Sequence, residues 1–277
     1  MKKIKLFMAM TAIAMTAVGC GSKNDAQKIL VLYYSQTTNT KVLAEEIANR
    51  LGADIEEIVA LNPYDGDFQA TIERCMKERE EGTTVEIQPL AANVADYDVV
   101  FIGYPVWFGT YAPPVATLLD QIDLSGKKVV PFCTFGSGGL ESSVKDLAAK
   151  QPGAEILPGY GVRAARMAAM PAEVDNFLKA GGFIEGEYTM LDEFPEQHPV
   201  SDDEAAIFNA AVYGYPMLHA EARTVASRAI DTTGVEYLFT AVDLPREGVA
   251  PAPEPKEMQV YVTVTGEEPP VFTRVVR

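Results

Sequence analysis

The feature that most limits what this chain can fold into is a repeated alternation. Short runs rich in β-branched and other apolar residues occur at Lys28 to Tyr34, Asp54 to Val59, Tyr97 to Tyr104, Lys127 to Phe135 and Glu155 to Tyr160, and longer amphipathic stretches separate them. Parallel neighbours in a sheet need a crossover of a dozen or more residues, so this alternation predicts five parallel strands covered by helices. Runs nearly continuous in apolar residues are expected to be covered on both faces. Between the first two runs, Leu43, Ile47 and Leu51 recur at four-residue spacing with Ala44 and Ala48 beside them, while Lys41, Glu45, Glu46 and Arg50 fall on the other side, which is the pattern of a sheet-covering helix. Similar stretches run from about Phe68 to Glu81, Pro113 to Ile122, Leu140 to Lys150 and Pro171 to Ala180, the last ending at Gly181-Gly182 as helices do.

The pattern changes after Phe183, and a chain of 277 residues has room for two domains. Residues 184–200 hold Glu185, Glu187, Asp192, Glu193 and Glu196 with Pro195 and Pro199, the composition of a solvated acidic linker. Ser201-Asp202-Asp203-Glu204 has capping-box spacing ahead of Ile207, Phe208, Ala211 and Val212, so a helix is expected from about Asp202. Arg223 to Asp231 and Val235 to Asp243 flank Thr232-Thr233-Gly234, and Met258 to Thr265 and Val271 to Val276 flank a second turn, which predicts two antiparallel hairpins. Pro245, Pro251, Pro253 and Pro255 keep their connection irregular. Residues 201–277 therefore read as a small α+β domain, helix then antiparallel meander, similar in topology to a cystatin-type arrangement.

At the start of the chain Lys2, Lys3 and Lys5 precede an apolar run from Leu6 to Val18, and Ala17-Val18-Gly19-Cys20 closes the segment with small residues and a cysteine. The run is 13 residues, against about 20 for a membrane span, so residues 1–20 read as a signal peptide. The small-small-Cys ending resembles the lipobox of bacterial lipoproteins. That resemblance implies a lipid on Cys20, a tether over 21–27 and an extracytoplasmic place in the bacterial cell envelope. No twin arginine precedes the apolar run, so export is expected to proceed on an unfolded chain. Removal of the signal takes away three lysines, leaving 20 basic against 39 acidic groups, a net charge of −19 in place of −16. Such acidity excludes a nucleic-acid partner, which must be met by phosphate neutralisation. Cys75 and Cys133 are expected to be buried thiols, and two histidines with three scattered cysteines supply no metal cage.

In an open parallel sheet, ligands sit beyond the carboxyl ends of the strands. The loop after the first run is Ser35-Gln36-Thr37-Thr38-Asn39-Thr40, whose hydroxyls and amide at a helix N-terminus suit a phosphate and also suit a helix cap. After the third run comes Pro105-Val106-Trp107-Phe108-Gly109, holding the only tryptophan of the chain, with aromatics that would stack on a planar ring or pack under the next helix. After the fourth comes Thr134-Phe135-Gly136-Ser137-Gly138-Gly139, where glycines let backbone approach a ligand or simply make a turn.

Strand, Ser-Gln-Thr-Thr-Asn-Thr loop, helix, then the Tyr-Pro-Val-Trp-Phe-Gly and Thr-Phe-Gly-Ser-Gly-Gly loops, resembles flavodoxin and related FMN-binding proteins over residues 28–183. The resemblance implies a doubly wound flavodoxin-like sheet and noncovalent FMN. By it, Ser35, Thr37, Asn39 and Thr40 would hold the FMN phosphate, Trp107 or Phe108 would cover one face of the ring, and Phe135 to Gly139 would hold its pyrimidine edge. Gly109 would permit a peptide flip near the flavin. Thr38 stands where the family pattern has glycine, a departure that matters if the position needs positive φ.

The expectation is thus an envelope-anchored protein that transfers electrons to a redox protein or quinone-like acceptor. Its alternative is a cofactor-free lipoprotein with a flavodoxin-like scaffold. Surrounding carboxylates would lower the flavin potential, or serve solubility alone. Other chemistries lack their motifs: Glu141 breaks a dinucleotide fingerprint, no Gly-x-Ser-x-Gly elbow or P-loop is present, and His198 and His219 stand away from the three loops.

Overall fold

The apolar runs pair in the order β2-β1-β3-β5-β6, all parallel, where β1 is Ile29–Tyr33, β2 Asp54–Glu57, β3 Val99–Trp107, β5 Lys128–Phe135 and β6 Glu155–Ile156. A two-residue strand β4, Thr110–Tyr111, folds back on the end of β3, and β7, Tyr160–Arg163, continues beside β5 where β6 stops. This computed structural model describes residues 27–64, 67–213, 215, 218–230, 232, 234–245 and 256–277. The expected signal segment with Cys20, the tether up to Ala26, Asp231 and Thr233 of the hairpin turn, and Pro251, Pro253 and Pro255 lie outside the described residues.

Helices α1 (Asn39–Leu51), α3 (Pro113–Gln121), α4 (Leu140–Lys150) and α5 (Met170–Ala180) divide between the two faces of the sheet. On one face Leu30, Leu32, Val100 and Ile102 pack with Val115 and Leu118 of α3 and Leu147 of α4. On the other, Val31, Phe101, Val130 and Phe132 pack with Leu43 and Ile47 of α1 and Val174 and Leu178 of α5. The central strands are therefore covered on both faces, as their unbroken apolar runs require. From β1 the chain steps outward to β2 and then crosses to β3 on the other side, so the strand order reverses between β1 and β3.

Three features differ from expectation. β2 is a mostly exposed edge strand rather than a doubly covered one, and its Glu56 carboxylate accepts the Ala91 and Ala92 amides at 2.6 and 2.8 Å. The fifth run is broken at Leu157-Pro158-Gly159, where Pro158 has no N–H for a ladder and a Cβ on Gly159 would lie 2.6 Å from the Pro131 carbonyl oxygen. Helix α2, Phe68–Glu81, buries only Thr71 and Cys75 and covers little of the sheet. Cys75 and Cys133 are both buried free thiols.

The acidic segment ends in β8, His198–Pro199, and this strand opens a second, antiparallel sheet of order β12-β11-β10-β9-β8. Its other strands are β9 (Ala220–Ala229), β10 (Gly234–Asp243), β11 (Glu257–Thr265) and β12 (Val271–Val276). The linker composition concealed β8, which is held by Gln197 accepting from the Thr224 and Thr240 hydroxyls at 2.5 and 2.8 Å. Helix α6, Asp202–Val212, starts on the expected capping box, with both reciprocal bonds between Ser201 and Glu204 present. Its Phe208 meets Phe239 edge-on at 5.2 Å, in a core with Val225, Val260 and Phe272.

Gly103 lies mid-way along β3, where a Cβ would come within 2.2 Å of the Phe132 ring, itself fully buried. Gly103→Ala is expected to lower the unfolding free energy by about 1–3 kcal/mol through overpacking, measured by urea denaturation.

Candidate functional site

Because β1, β3 and β5 are parallel neighbours, the three loops singled out in the sequence leave the same edge of the sheet and touch one another. The Thr40 and Thr134 hydroxyls, both buried, share a hydrogen bond of 2.8 Å that ties the first loop to the third. Tyr34 and Trp107 meet edge-on at 6.0 Å, joining the first loop to the second. Ser142 Oγ on α4 donates to the Gly109 carbonyl at 2.5 Å, joining the second to the helix that follows the third.

In the first loop the hydroxyls divide their labour. Ser35 Oγ accepts the Lys41 amide at 3.2 Å, filling one orphan position of α1 while keeping its own proton to donate. Thr38 is the N-cap but makes no side-chain cap; its Oγ1 donates to the Thr37 carbonyl at 2.6 Å. The Asn39 and Thr40 amides, at the start of α1, have no partner among the described residues. Thr37 is exposed and Asn39 partly so, and neither side chain is engaged among the described residues. Unpaired amides at a helix N-terminus, flanked by hydroxyl and amide donors unpaired among the described residues, are groups of the kind an anion accepts from, and they carry no formal positive charge.

Thr38 has φ 67°, and Phe108 has φ 52°; among the described residues they are the only non-glycine residues with positive φ. The left-handed region costs an L-residue roughly 1–2 kcal/mol, more for a β-branched one, and such strain persists where the surrounding structure enforces it. Thr38 thus holds, with a β-branched side chain, a backbone conformation that glycine adopts without strain. Phe108 and Gly109, at φ 81°, form the two-residue turn between β3 and β4, consecutive left-handed residues of the primed hairpin kind.

Trp107 is half-buried and fixed from two sides, by Tyr34 and by Tyr64 at 5.0 Å, also edge-on. Phe108 is the exposed aromatic, at 48% accessibility, with the Arg79 guanidinium 5.3 Å from its ring centre. Tyr64 is a contributor that motif reasoning did not reach. Its hydroxyl donates to Glu78 at 2.5 Å, Arg74 lies over its ring at 3.9 Å, and its carbonyl accepts from Gln36 of the first loop at 3.2 Å. The one signal for it was an aromatic directly after Asn62-Pro63 in the loop behind the second strand. Burial pushes the Tyr34 phenol up to about 12 and raises that of Tyr64, so both rings beside the indole stay neutral.

The third loop is built for close approach on two sides. A Cβ on Gly139, at φ 110°, would strike Val106 Cγ1 at 2.6 Å, and one on Gly138 would lie 2.1 Å from the Val275 carbonyl oxygen of β12. The Val275 amide donates to the Ser137 carbonyl at 2.6 Å. Arg163, at the end of β7, donates from Nε to the Gly136 carbonyl and from Nη1 to the Phe272 carbonyl, each at 2.8 Å. Phe135 is buried and Gly136 exposed. Pro105 and Val106 are partly buried along β3. His198, in β8, and His219, just before β9, are both exposed, and neither lies in any of the three loops. Among the described residues no three His, Cys, Asp or Glu side chains gather as metal ligands, and no helix is long and apolar enough to cross a membrane.

A family model described as Flavodoxin matches residues 28–175. A solved structure of a candidate flavoprotein from Bacteroides eggerthii DSM 20697 is 31% identical, over 54% of this chain and 96% of its own, with a TM-score of 0.47. One from Bacteroides uniformis ATCC 8492 is 25% identical, over 54% and 98%, with a TM-score of 0.48. A flavoprotein from Lactobacillus acidophilus NCFM, in complex with FMN, is 29% identical, over 49% and 93%, with a TM-score of 0.45.

Releasing the strain at Thr38 outweighs the added chain entropy of glycine, so Thr38→Gly is expected to raise the unfolding free energy by about 0.5–1 kcal/mol. Gly109→Ala, which places a side chain at positive φ, is expected to lower it by about 1 kcal/mol. Urea denaturation of both variants checks the opposite signs.

Proposed function

The chain belongs to the flavodoxin family, and on that premise we propose that it holds FMN noncovalently at the β1/β3 strand ends and mediates electron transfer. The observation that carries this reading is the placement of Thr38 and Phe108. The two strained non-glycine residues among the described ones stand on the two loops that flank the reversal of strand order, where backbone must come close to a ligand. The threonine in place of glycine is therefore compatible with the site, since the backbone holds the required conformation despite the side chain.

FMN, when bound, supplies the redox chemistry, taking up and passing on one or two electrons. The residues around it bind, orient and tune. The free Asn39 and Thr40 amides, with the Ser35 and Thr37 hydroxyls and the Asn39 side-chain amide, would donate to the phosphate oxygens. The Thr40 hydroxyl is engaged with Thr134, so its part is to lock the first loop to the third while its backbone amide does the binding. Trp107, held by two tyrosines, is a stacking surface whose orientation is set before the ring arrives. The Gly109 carbonyl, held by Ser142, keeps the adjoining turn in place. A net charge of −16 disfavours the more negative reduced ring and so lowers its potential.

The lipobox-like ending at Cys20 supports placing this function at the outer side of a bacterial membrane, lipid-anchored, with a redox protein or a quinone-like molecule as the partner. Acidity favours a neutral or basic protein surface for that exchange.

Trp107 is the only tryptophan of the chain, so its emission reports on the site directly. Titration of the purified protein with FMN is expected to quench it, and Trp107→Ala, followed by flavin fluorescence, is expected to raise the FMN Kd by about tenfold or more. No flavin absorbance and no quenching would leave the scaffold reading in its place.

A further inference from the structure

We propose that the C-terminal module, through β12 and through its contact with Arg163 of β7, sets the peptide planes of the third loop and aims two of its main-chain N–H groups at the pyrimidine edge of the flavin. The inference rests on the FMN reading and deepens it. The family match ends at residue 175, so β12 and its module stand outside the matched region.

The argument follows from peptide planarity. In a trans peptide the carbonyl of one residue and the N–H of the next point in opposite directions. The Gly136 carbonyl is drawn to Arg163 Nε, and the Ser137 carbonyl to the Val275 amide. The Ser137 N–H consequently points away from Arg163 and the Gly138 N–H away from Val275, and neither has a partner among the described residues. Two consecutive donors are thereby turned away from Arg163 and Val275, unpaired among the described residues, and the adjoining Gly139 packs on Val106 of the second loop. Donors fixed in advance toward a place where negative charge develops stabilise that charge without reorganising.

The contact is shaped for this purpose at three points. Gly138 admits the Val275 carbonyl oxygen at a distance that any side chain would forbid. Arg163 bridges the loop and the module with one guanidinium, bonding Gly136 on one side and Phe272 on the other. Its guanidinium carbon also lies 4.5 Å from the Phe272 ring centre and 5.1 Å from that of Tyr215, so the fork is held by two aromatic faces from the module. Arg163 is a positioning residue, acting on the flavin through the loop.

Two full-chain variants approach the contact from opposite sides, and either alone suffices. Arg163→Met removes both guanidinium bonds and keeps the aliphatic stem. Gly138→Ala places a methyl against Val275, at a position whose φ lies outside the left-handed region, so it acts through the contact alone. Each is expected to raise the FMN Kd by about tenfold, the scale of one donor lost from a buried acceptor. Each is also expected to make the midpoint potential of bound FMN more negative and to speed amide exchange at residues 136–139, with near-ultraviolet circular dichroism unchanged. Arg163→Lys, which keeps one donor for the Gly136 carbonyl, is expected to recover part of the affinity. Should the wild-type chain bind FMN while both variants keep its Kd and potential, the inference is overturned and the FMN reading stands. Should the wild-type chain show no FMN binding at all, both fall.

Discussion

Everything at the candidate site depends on the parallel pairing of three adjacent strands. Parallel strands bring their carboxyl ends to one edge, and the strand order reverses there between β1 and β3, which is where ligands of open parallel sheets sit. Loops separated by some seventy to a hundred residues along the chain then lie within hydrogen-bonding distance, as the Thr40–Thr134 pair shows. A buried hydroxyl pair of this kind is stable only while both partners are present, because either one alone would be desolvated and unsatisfied. It couples the placement of the first loop to that of the third.

Around that edge the protein spends conformational strain in a narrow region. Among the described residues, positive φ occurs only at glycines and at Thr38 and Phe108. The neighbouring contacts explain how the strain is retained. Gln36 bonds the first loop to Thr71 and to the Tyr64 carbonyl, Trp107 is clamped between Tyr34 and Tyr64, and Ser142 holds Gly109. Each removes a route by which the two strained residues would relax. The result is a rim whose donors and aromatic surface are set in advance, which reduces the ordering cost when a flat phosphorylated ligand binds.

The second sheet adds something that a single flavodoxin-like layer lacks. Its last strand reaches the third loop with a main-chain bond, and Arg163 crosses the junction between two aromatic rings. Gly138 is therefore needed for an intramolecular approach, whatever else the loop does. That distinction between a glycine kept for the ligand and one kept for a neighbouring strand is invisible in the motif Gly-Ser-Gly-Gly.

Periodicity carried the elements because burial on one face or two is written residue by residue. The helices over Phe68–Glu81, Pro113–Gln121 and Leu140–Lys150, the capping box at Ser201 and the two hairpins were all legible in this way. Where local pattern and pairing disagreed, pairing decided. β2 became an exposed edge, Pro158 split the last parallel strand, and His198–Pro199 joined the antiparallel sheet from inside an acidic stretch. The sequence by itself determined which three loops would hold the donors and aromatics, since residue types after each strand are a local property. Only the tertiary structure decided their roles: that Ser35 caps a helix, that Thr40 faces Thr134, that Tyr64 steadies the indole, and that Arg163 and Val275 orient the third loop. Those assignments depend on contacts between residues remote in the chain, and a hydrogen bond across a hundred residues leaves no period for a sequence to display.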